Sequence, residues 1–391
     1  MPDPLEEIAA GLAELDAAGL RRRRRSVATP CWPDTRLADR EAPLLAFCSN
    51  DYLGLAAEPA IAAAVRRGSE RWGSGAGASH LVSGHYAVHD ALEQRLAAFT
   101  GMEAALHFST GYMANIGVMP ALVGRGDAIF ADRLNHASLV DGALLSRAEL
   151  IRYPHCDLDA LAAQLAASTA PRKLIVSDGV FSMDGDVAPL PGLLALAEAH
   201  RAWLLVDDAH GFGVLGPQGR GCLAHFGLVS PRLIYMGTLG KAAGVSGAFV
   251  AGQGPLIDWL INTARSYIFT TGTPPMLAEG LLTALDLIEQ GDARRAQLAD
   301  LIARFKAGLR LRRWRLLPSE TPIQPIVIGD NHETLAVSRA LDDAGLWVPA
   351  IRPPTVPRGS ARLRVVLSAA HRPEQVDRLV DSLNRLEGGR S

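Results

Sequence analysis

Apolar residues follow two periods along this chain. Leu5, Ile8, Leu12 and Leu15 recur at helical spacing and predict an opening amphipathic helix that stops near Gly19. Val88, Leu92, Leu96 and Phe99 mark a second helical face, closed by Gly101. Short continuous apolar runs fall at 44–47, 104–108, 128–131, 150–153, 174–177, 202–206, 233–236 and 248–251. From 104 onward most are separated by helical patterns, such as Leu158, Leu161, Leu165 and Leu193, Leu194, Ala197. Such alternation, with continuously apolar strands, predicts a mostly parallel seven-stranded sheet flanked by helices. The tail changes character: strand at 324–328, helix at 335–344, strand at 363–367, helix at 376–383. The expected architecture is α/β, with a helix and short strand over 1–50, a large domain over 51–288 and a smaller α+β domain over 289–391.

Composition narrows the class. The 391 residues are 48% hydrophobic and 20% charged, which predicts a sizeable core and not disorder. A net charge of -2 argues against a nucleic-acid partner. Cys31, Cys48, Cys156 and Cys222 are far apart and form no C-x-x-C pair, so they read as reduced thiols. No apolar run approaches the roughly 20 residues of a membrane span. The start is acidic, and the run Arg21 to Arg25 leads into Ser-Val-Ala-Thr-Pro and not an apolar core, which is unlike a signal peptide. A cytoplasmic protein with no membrane partner is expected. The arginine run reads as a solvated helix end, with one member free to point inward at an anion.

Polar residues gather where the apolar runs stop. The strand at 233–236 runs through Gly237-Thr238-Leu239-Gly240 into Lys241, with no charged residue after Arg232. A lysine among apolar neighbours loses its proton readily, because burial disfavours the ammonium form, and a neutral amine attacks carbonyls. A solvated lysine at a strand end is the plain alternative. The strand at 202–206 ends in Asp207-Asp208-Ala209-His210. An aspartate at the carboxyl end of a strand is placed to hold the protonated ring nitrogen of pyridoxal 5′-phosphate (PLP). After 108, Ser109-Thr110-Gly111-Tyr112 opens a helix whose free N–H groups suit a phosphate. After 131 comes Asp132-Arg133-Leu134-Asn135-His136, whose histidine can lie flat over an aromatic ring. After 177 comes Asp178, then Ser182-Met183-Asp184-Gly185-Asp186, best read as a tight turn. Polar side chains at successive strand ends of one sheet point to one site.

Other patterns carry less. His85 and His89 stand at i, i+4 but lack the glutamate of H-E-x-x-H and any evident third ligand, so no metal is expected. The glycine- and serine-rich stretch Arg71 to His85 reads as a mobile loop near the site. Gly211 to Gly216 matches G-x-G-x-x-G, yet Pro217 interrupts the helix such a fingerprint needs, and no acid occurs from 216 to 240. Arg352, among prolines in an apolar loop, reads as a fixed carboxylate clamp, with a solvated loop residue as the alternative.

Strand-Asp-x-x-His at 203–210, strand-Thr-x-x-Lys at 233–241, Ser49-Asn50-Asp51-Tyr52-Leu53-Gly54-Leu55 and Ala350-Ile351-Arg352-Pro353-Pro354-Thr355-Val356-Pro357 together resemble the α-oxoamine synthases. These are fold-type I PLP-dependent enzymes, and the resemblance covers about residues 20–371. It implies that the large domain binds PLP and that the protein is a homodimer, with a turn at Thr270-Thr271 presented to the partner's cofactor. By motif, Lys241 would be the Schiff-base lysine, Asp207 the partner of the ring nitrogen, His210 the contact to the ring hydroxyl, and His136 the stacked and catalytic histidine. Gly111, Tyr112, Ser182 and Thr238 would help seat the cofactor. Arg21, Asn50, His136, Arg352 and Thr355 would contact substrate. The phrase at 350–357 most resembles the member that condenses L-alanine with a pimeloyl thioester, carried on coenzyme A or acyl carrier protein, in biotin biosynthesis. Relatives using glycine or serine vary there. The chain departs from the family at Asp178, where glutamate is frequent, and at Gly272-Thr273.

Overall fold

The computed structural model describes residues 3–388. They divide into two compact units. The larger is Leu53–Ser182 with Asp186–Arg295; the smaller holds the residues up to Tyr52, Met183–Gly185, and those from Ala296 on.

The larger unit is built on a seven-stranded sheet. Its strands are β1 (Ala104–Phe108), β2 (Ala128–Asp132), β3 (Glu149–Tyr153), β4 (Lys173–Asp178), β5 (Trp203–Asp207), β6 (Leu233–Thr238) and β7 (Ala248–Gly252). Their order across the sheet is β1-β7-β6-β5-β4-β2-β3. The neighbours from β6 to β3 pair in parallel, while β7 is antiparallel to both β6 and β1. The reversal follows from chain length. Only residues 239–247 join β6 to β7, too few for a parallel crossover, so the chain must turn back. That short return is the segment that carries Lys241.

Helices cover the sheet, and one large apolar cluster packs against one of its faces. Leu174, Val176, Leu205, Ile234 and Val250 are all fully buried and pack with Val118, Leu139 and Leu260 from the helices. Each such side chain contributes roughly 1.5–3 kcal/mol relative to exposure. Strands buried on both faces cannot alternate apolar with polar, which is why these runs read as unbroken. Several strands extend one or two residues past their apolar run. Asp132, Asp178, Asp207 and Thr238 are therefore the last residues of β2, β4, β5 and β6 and not loop residues. The ladder holds them: Asp178 pairs with Asp207, and Asp207 with Met236.

The smaller unit has a four-stranded antiparallel sheet in the order Arg315–Leu316, Ile323–Gly329, Ala361–Val366, Ala350–Ile351. Helices Asn331–Asp343 and Pro373–Gly388 accompany it, as does a small sheet of Asp34–Thr35, Leu44–Ala46 and Leu346–Trp347. The opening helix is Pro4–Ala17, and its apolar residues Leu5 and Ile8 face outward. The helix has already ended when the chain reaches the arginine run, because Gly19 takes a left-handed φ of 63°. These arginines therefore lie beyond the helix, on backbone without regular secondary structure. Arg21 pairs with Asp16 at 2.5 Å, and Arg25 pairs with Asp342 at 2.7 Å and lies over the Trp347 ring. Among the described residues no helix is long and apolar enough to cross a membrane.

Candidate active site

The carboxyl ends of β4, β5 and β6 surround a cavity of about 210 Å3 in the larger unit. Asp178, Asp207 and Thr238 line it from the strand ends, and His210 and Lys241 from the turns that follow. Gly111 and Tyr112 close it from the start of helix Gly111–Leu122, and His136 and Ser138 from the start of helix Ala137–Ser146. A wider recess of about 630 Å3 lies in the smaller unit, lined by residues such as Leu20, Asp330 and Arg358. The narrower one holds the convergent titratable groups, so the chemistry belongs there.

Lys241 is the only one of the chain's three lysines in this cavity. Lys173 reaches the Leu165 carbonyl, and Lys306 pairs with Glu320. Lys241 Nζ donates to His210 Nε2 at 2.9 Å. The loop that carries it is tightly folded. Gly244, at φ 71°, leaves no room for a Cβ, which would come within 2.5 Å of the Ala56 nitrogen. Thr238 Oγ1 donates to the Gly247 carbonyl at 3.1 Å and ties the two ends of that loop together.

Asp207 is buried and held on both oxygens. Asn115 Nδ2 donates to Oδ2 at 2.7 Å, and the Ala209 N–H to Oδ1 at 3.1 Å. Asn115 Nδ2 also reaches Ser138 Oγ at 2.9 Å, and Ser138 Oγ lies 2.8 Å from His136 Nδ1. One amide thus links the aspartate to the histidine that caps the next helix. Asp208, by contrast, does not line the cavity; its Oδ2 accepts from Tyr235 Oη at 2.6 Å and from the Cys222 N–H at 2.7 Å.

Asp178 and Asp207 end neighbouring strands, and the pair cannot both ionise freely. Burial first, and the charge of Asp207 second, hold the Asp178 carboxyl well above the usual range. Asp178 Oδ2 accepts the His136 N–H at 2.8 Å, which fixes the backbone from which that imidazole projects. Burial also pushes His136 below the ordinary histidine value, so its ring is neutral near pH 7.

The structure brings Gly111, Tyr112, His136, Asp207, His210, Thr238 and Lys241 to one cavity. Ser182 stands beyond β4 and does not line it. Arg21, Asn50, Arg352 and Thr355 belong to the smaller unit. There Arg352 Nη1 donates to the Gly19 carbonyl, and Arg364 Nη1 to Asn50 Oδ1 at 3.2 Å. Thr355 Oγ1 accepts from Arg22, the neighbour of Arg21, at 2.8 Å. The glycine fingerprint at 211–216 folds as a turn: Gly213 N–H donates to Gly219 at 2.8 Å, and a single 3-10 turn, Pro217–Gly219, follows where a helix would be needed. The stretch Arg71 to His85, read as a loop, begins in the end of helix Pro59–Trp72 and contains one π-helical turn, His80–Gly84. Sequence reasoning missed Asn115 and Ser138. The available signal was a polar pair at helix positions otherwise filled by core residues.

Comparison with known proteins identifies the family of the chain. Residues 42–383 match the model of the aminotransferase class I and II family. The 8-amino-7-oxononanoate synthase of Azoarcus sp. (strain BH72) is 70% identical, with 98% of each chain covered. That of Aromatoleum aromaticum is 68% identical, covering 99% of this chain and all of the relative. Among solved structures, a serine palmitoyltransferase with PLP superposes with a TM-score of 0.92 at 30% identity, covering 98% of both chains.

Proposed function

Because the chain belongs to the aminotransferase class I and II family, and within it to the 8-amino-7-oxononanoate synthases, we infer that it condenses L-alanine with a pimeloyl thioester. The products are 8-amino-7-oxononanoate, CO2 and the free thiol, and the step serves biotin formation. The observation that carries this reading is the convergence of Lys241, Asp207 and His136 on one cavity, in a chain so similar to enzymes of that name.

The donor set fits PLP. A carboxylate locked by Asn115 suits a protonated ring nitrogen, the start of helix Gly111–Leu122 suits a phosphate, and Lys241 is the one cavity amine. Bound there, PLP supplies an electron sink for a carbanion at the alanine Cα. The protein's own residues do the rest. Lys241 Nζ would hold the cofactor and would serve as the general base that receives the alanine Cα proton. His210 Nε2, at 2.9 Å, keeps that amine in position. Asp207 holds the proton on the ring nitrogen. His136, neutral and oriented by Ser138, presents a flat face. Arg352 offers two parallel donors for the alanine carboxylate, with Arg21, Asn50 and Thr355 as further substrate contacts. Loss of CO2 follows the new carbon–carbon bond, so a fixed carboxylate guards against early decarboxylation. The Thr270-Thr271 turn would complete the partner's cofactor site in a cytoplasmic homodimer, with Ser182 lying outside the cavity lining.

The second reading is another α-oxoamine synthase, using glycine or serine; the serine palmitoyltransferase fold likeness favours keeping it. Turnover of purified protein with alanine, glycine and serine against pimeloyl, acetyl, succinyl and palmitoyl thioesters separates the two. Preference for alanine with the pimeloyl ester is expected, and preference for any other pair overturns the assignment.

A further inference from the structure

The larger unit packs three imidazoles together outside the cavity. His80 opens the turn His80–Gly84, His85 follows it, and His89 sits in the first turn of helix Ala87–Thr100. One ring nitrogen of each lies within 4.8 Å of those of the other two. His85 and His89 alone have the spacing of two metal ligands but no third; the turn folds His80 onto them. None of the three lines the cavity around Lys241.

Their outer partners set the tautomers. His85 Nε2 lies 3.0 Å from Asp90 Oδ1, and His89 Nε2 lies 2.9 Å from the Thr273 carbonyl oxygen. A carboxylate and a carbonyl only accept, so both Nε2 atoms carry the hydrogen and both Nδ1 atoms keep a lone pair. The His89 lone pair takes the Tyr86 N–H at 3.1 Å. His80 Nδ1 faces His85 Nδ1 at 2.9 Å and must supply the hydrogen between them. The cluster thus combines two lone pairs and one exchangeable proton with outer acceptors of the kind that orient metal-bound histidines.

We propose that His80, His85 and His89 form a site for a divalent ion of the zinc class. The ion takes the place of the proton on His80 Nδ1, which moves through solvent to His80 Nε2, so the ring stays neutral. It also displaces the Tyr86 N–H from His89; that residue is half-exposed at a helix start, where N–H groups find water. Three nitrogens leave a fourth position for water. In the single chain the His85 side chain is 24% exposed and that of Asp90 59%. The ion would brace the glycine-rich turn against residues 271–273, which already meet it through the Ser79 bridge to Thr271 and the Gly272 N–H bond to Ala78. The other histidine cluster, Asp132, His155 and Cys156, is a poor rival: Asp132 and Asp186 take both nitrogens of His155.

The test is zinc binding by PLP-loaded enzyme stripped with chelator, equilibrated with zinc chloride, gel-filtered and assayed for metal. One zinc per chain is expected, lost in His85→Gln and retained in Cys156→Ser. Asp90→Asn, a change at an exposed residue, should weaken competition with a zinc dye by about 10–100-fold. Zinc content of the wild type no higher than after stripping, or unchanged affinity in His85→Gln or Asp90→Asn, would overturn the proposal.

Discussion

Lys241 Nζ and His210 Nε2 lie 2.9 Å apart, although they come from turns after two different strands. Parallel pairing of β5 with β6 places those turns side by side, and the register Asp207 to Met236 sets how far each reaches. The contact therefore rests on sheet topology, and so do the following expectations.

Asp207→Asn should fold and bind PLP yet lose roughly 10²-fold or more in kcat, because a neutral amide cannot hold a proton on the ring nitrogen. Steady-state turnover beside circular dichroism separates this from unfolding. Near-normal kcat would place the essential carboxylate elsewhere.

Asn115→Ala removes the amide that holds Asp207 and Ser138 together. A hydrogen bond to a charged group contributes about 1.5–3 kcal/mol. If that term is spent on orienting Asp207, PLP affinity or kcat should fall by about 10–100-fold, which absorbance titration and turnover will report.

Arg352→Ala should raise the KM for alanine about tenfold or more while leaving PLP affinity nearly unchanged, and Arg352→Lys should do so less, since a point charge cannot form the paired fork. Wild-type kinetics in the alanine variant would remove the clamp.

His155 predicts a pH signature in stability. Burial opposes its charge, but hydrogen bonds to Asp132 and Asp186 outweigh that and push it up to about 12. A pKa raised above its unfolded value stabilises fully below about 6.5, and that contribution fades as pH rises toward the folded value. The advantage of wild type over His155→Gln should be largest near pH 6 and shrink by pH 9 in urea titrations. An advantage that grows with pH would contradict the ion-paired assignment.

The sheet was legible because each of its seven strands carries a short apolar run, and its carboxyl edge because polar residues follow most of those runs. Strand ends were placed one or two residues early because Asp132, Asp178 and Asp207 look like loop residues until the ladder is seen to include them. The Asn115 bridge was invisible: it joins residues 92 positions apart, and only the fold creates it. His80 escaped for the same reason, since a π-helical turn has no apolar period to announce it.

The most direct measurement is where PLP attaches. The chain has three lysines, Lys173, Lys241 and Lys306, and only Lys241 faces the cavity. Purified protein loaded with PLP should be yellow, and borohydride should bleach the band and fix the cofactor to the chain. Peptide mapping by mass spectrometry should then find the added mass on Lys241. Its appearance on Lys173 or Lys306, or on no lysine at all, would contradict the account.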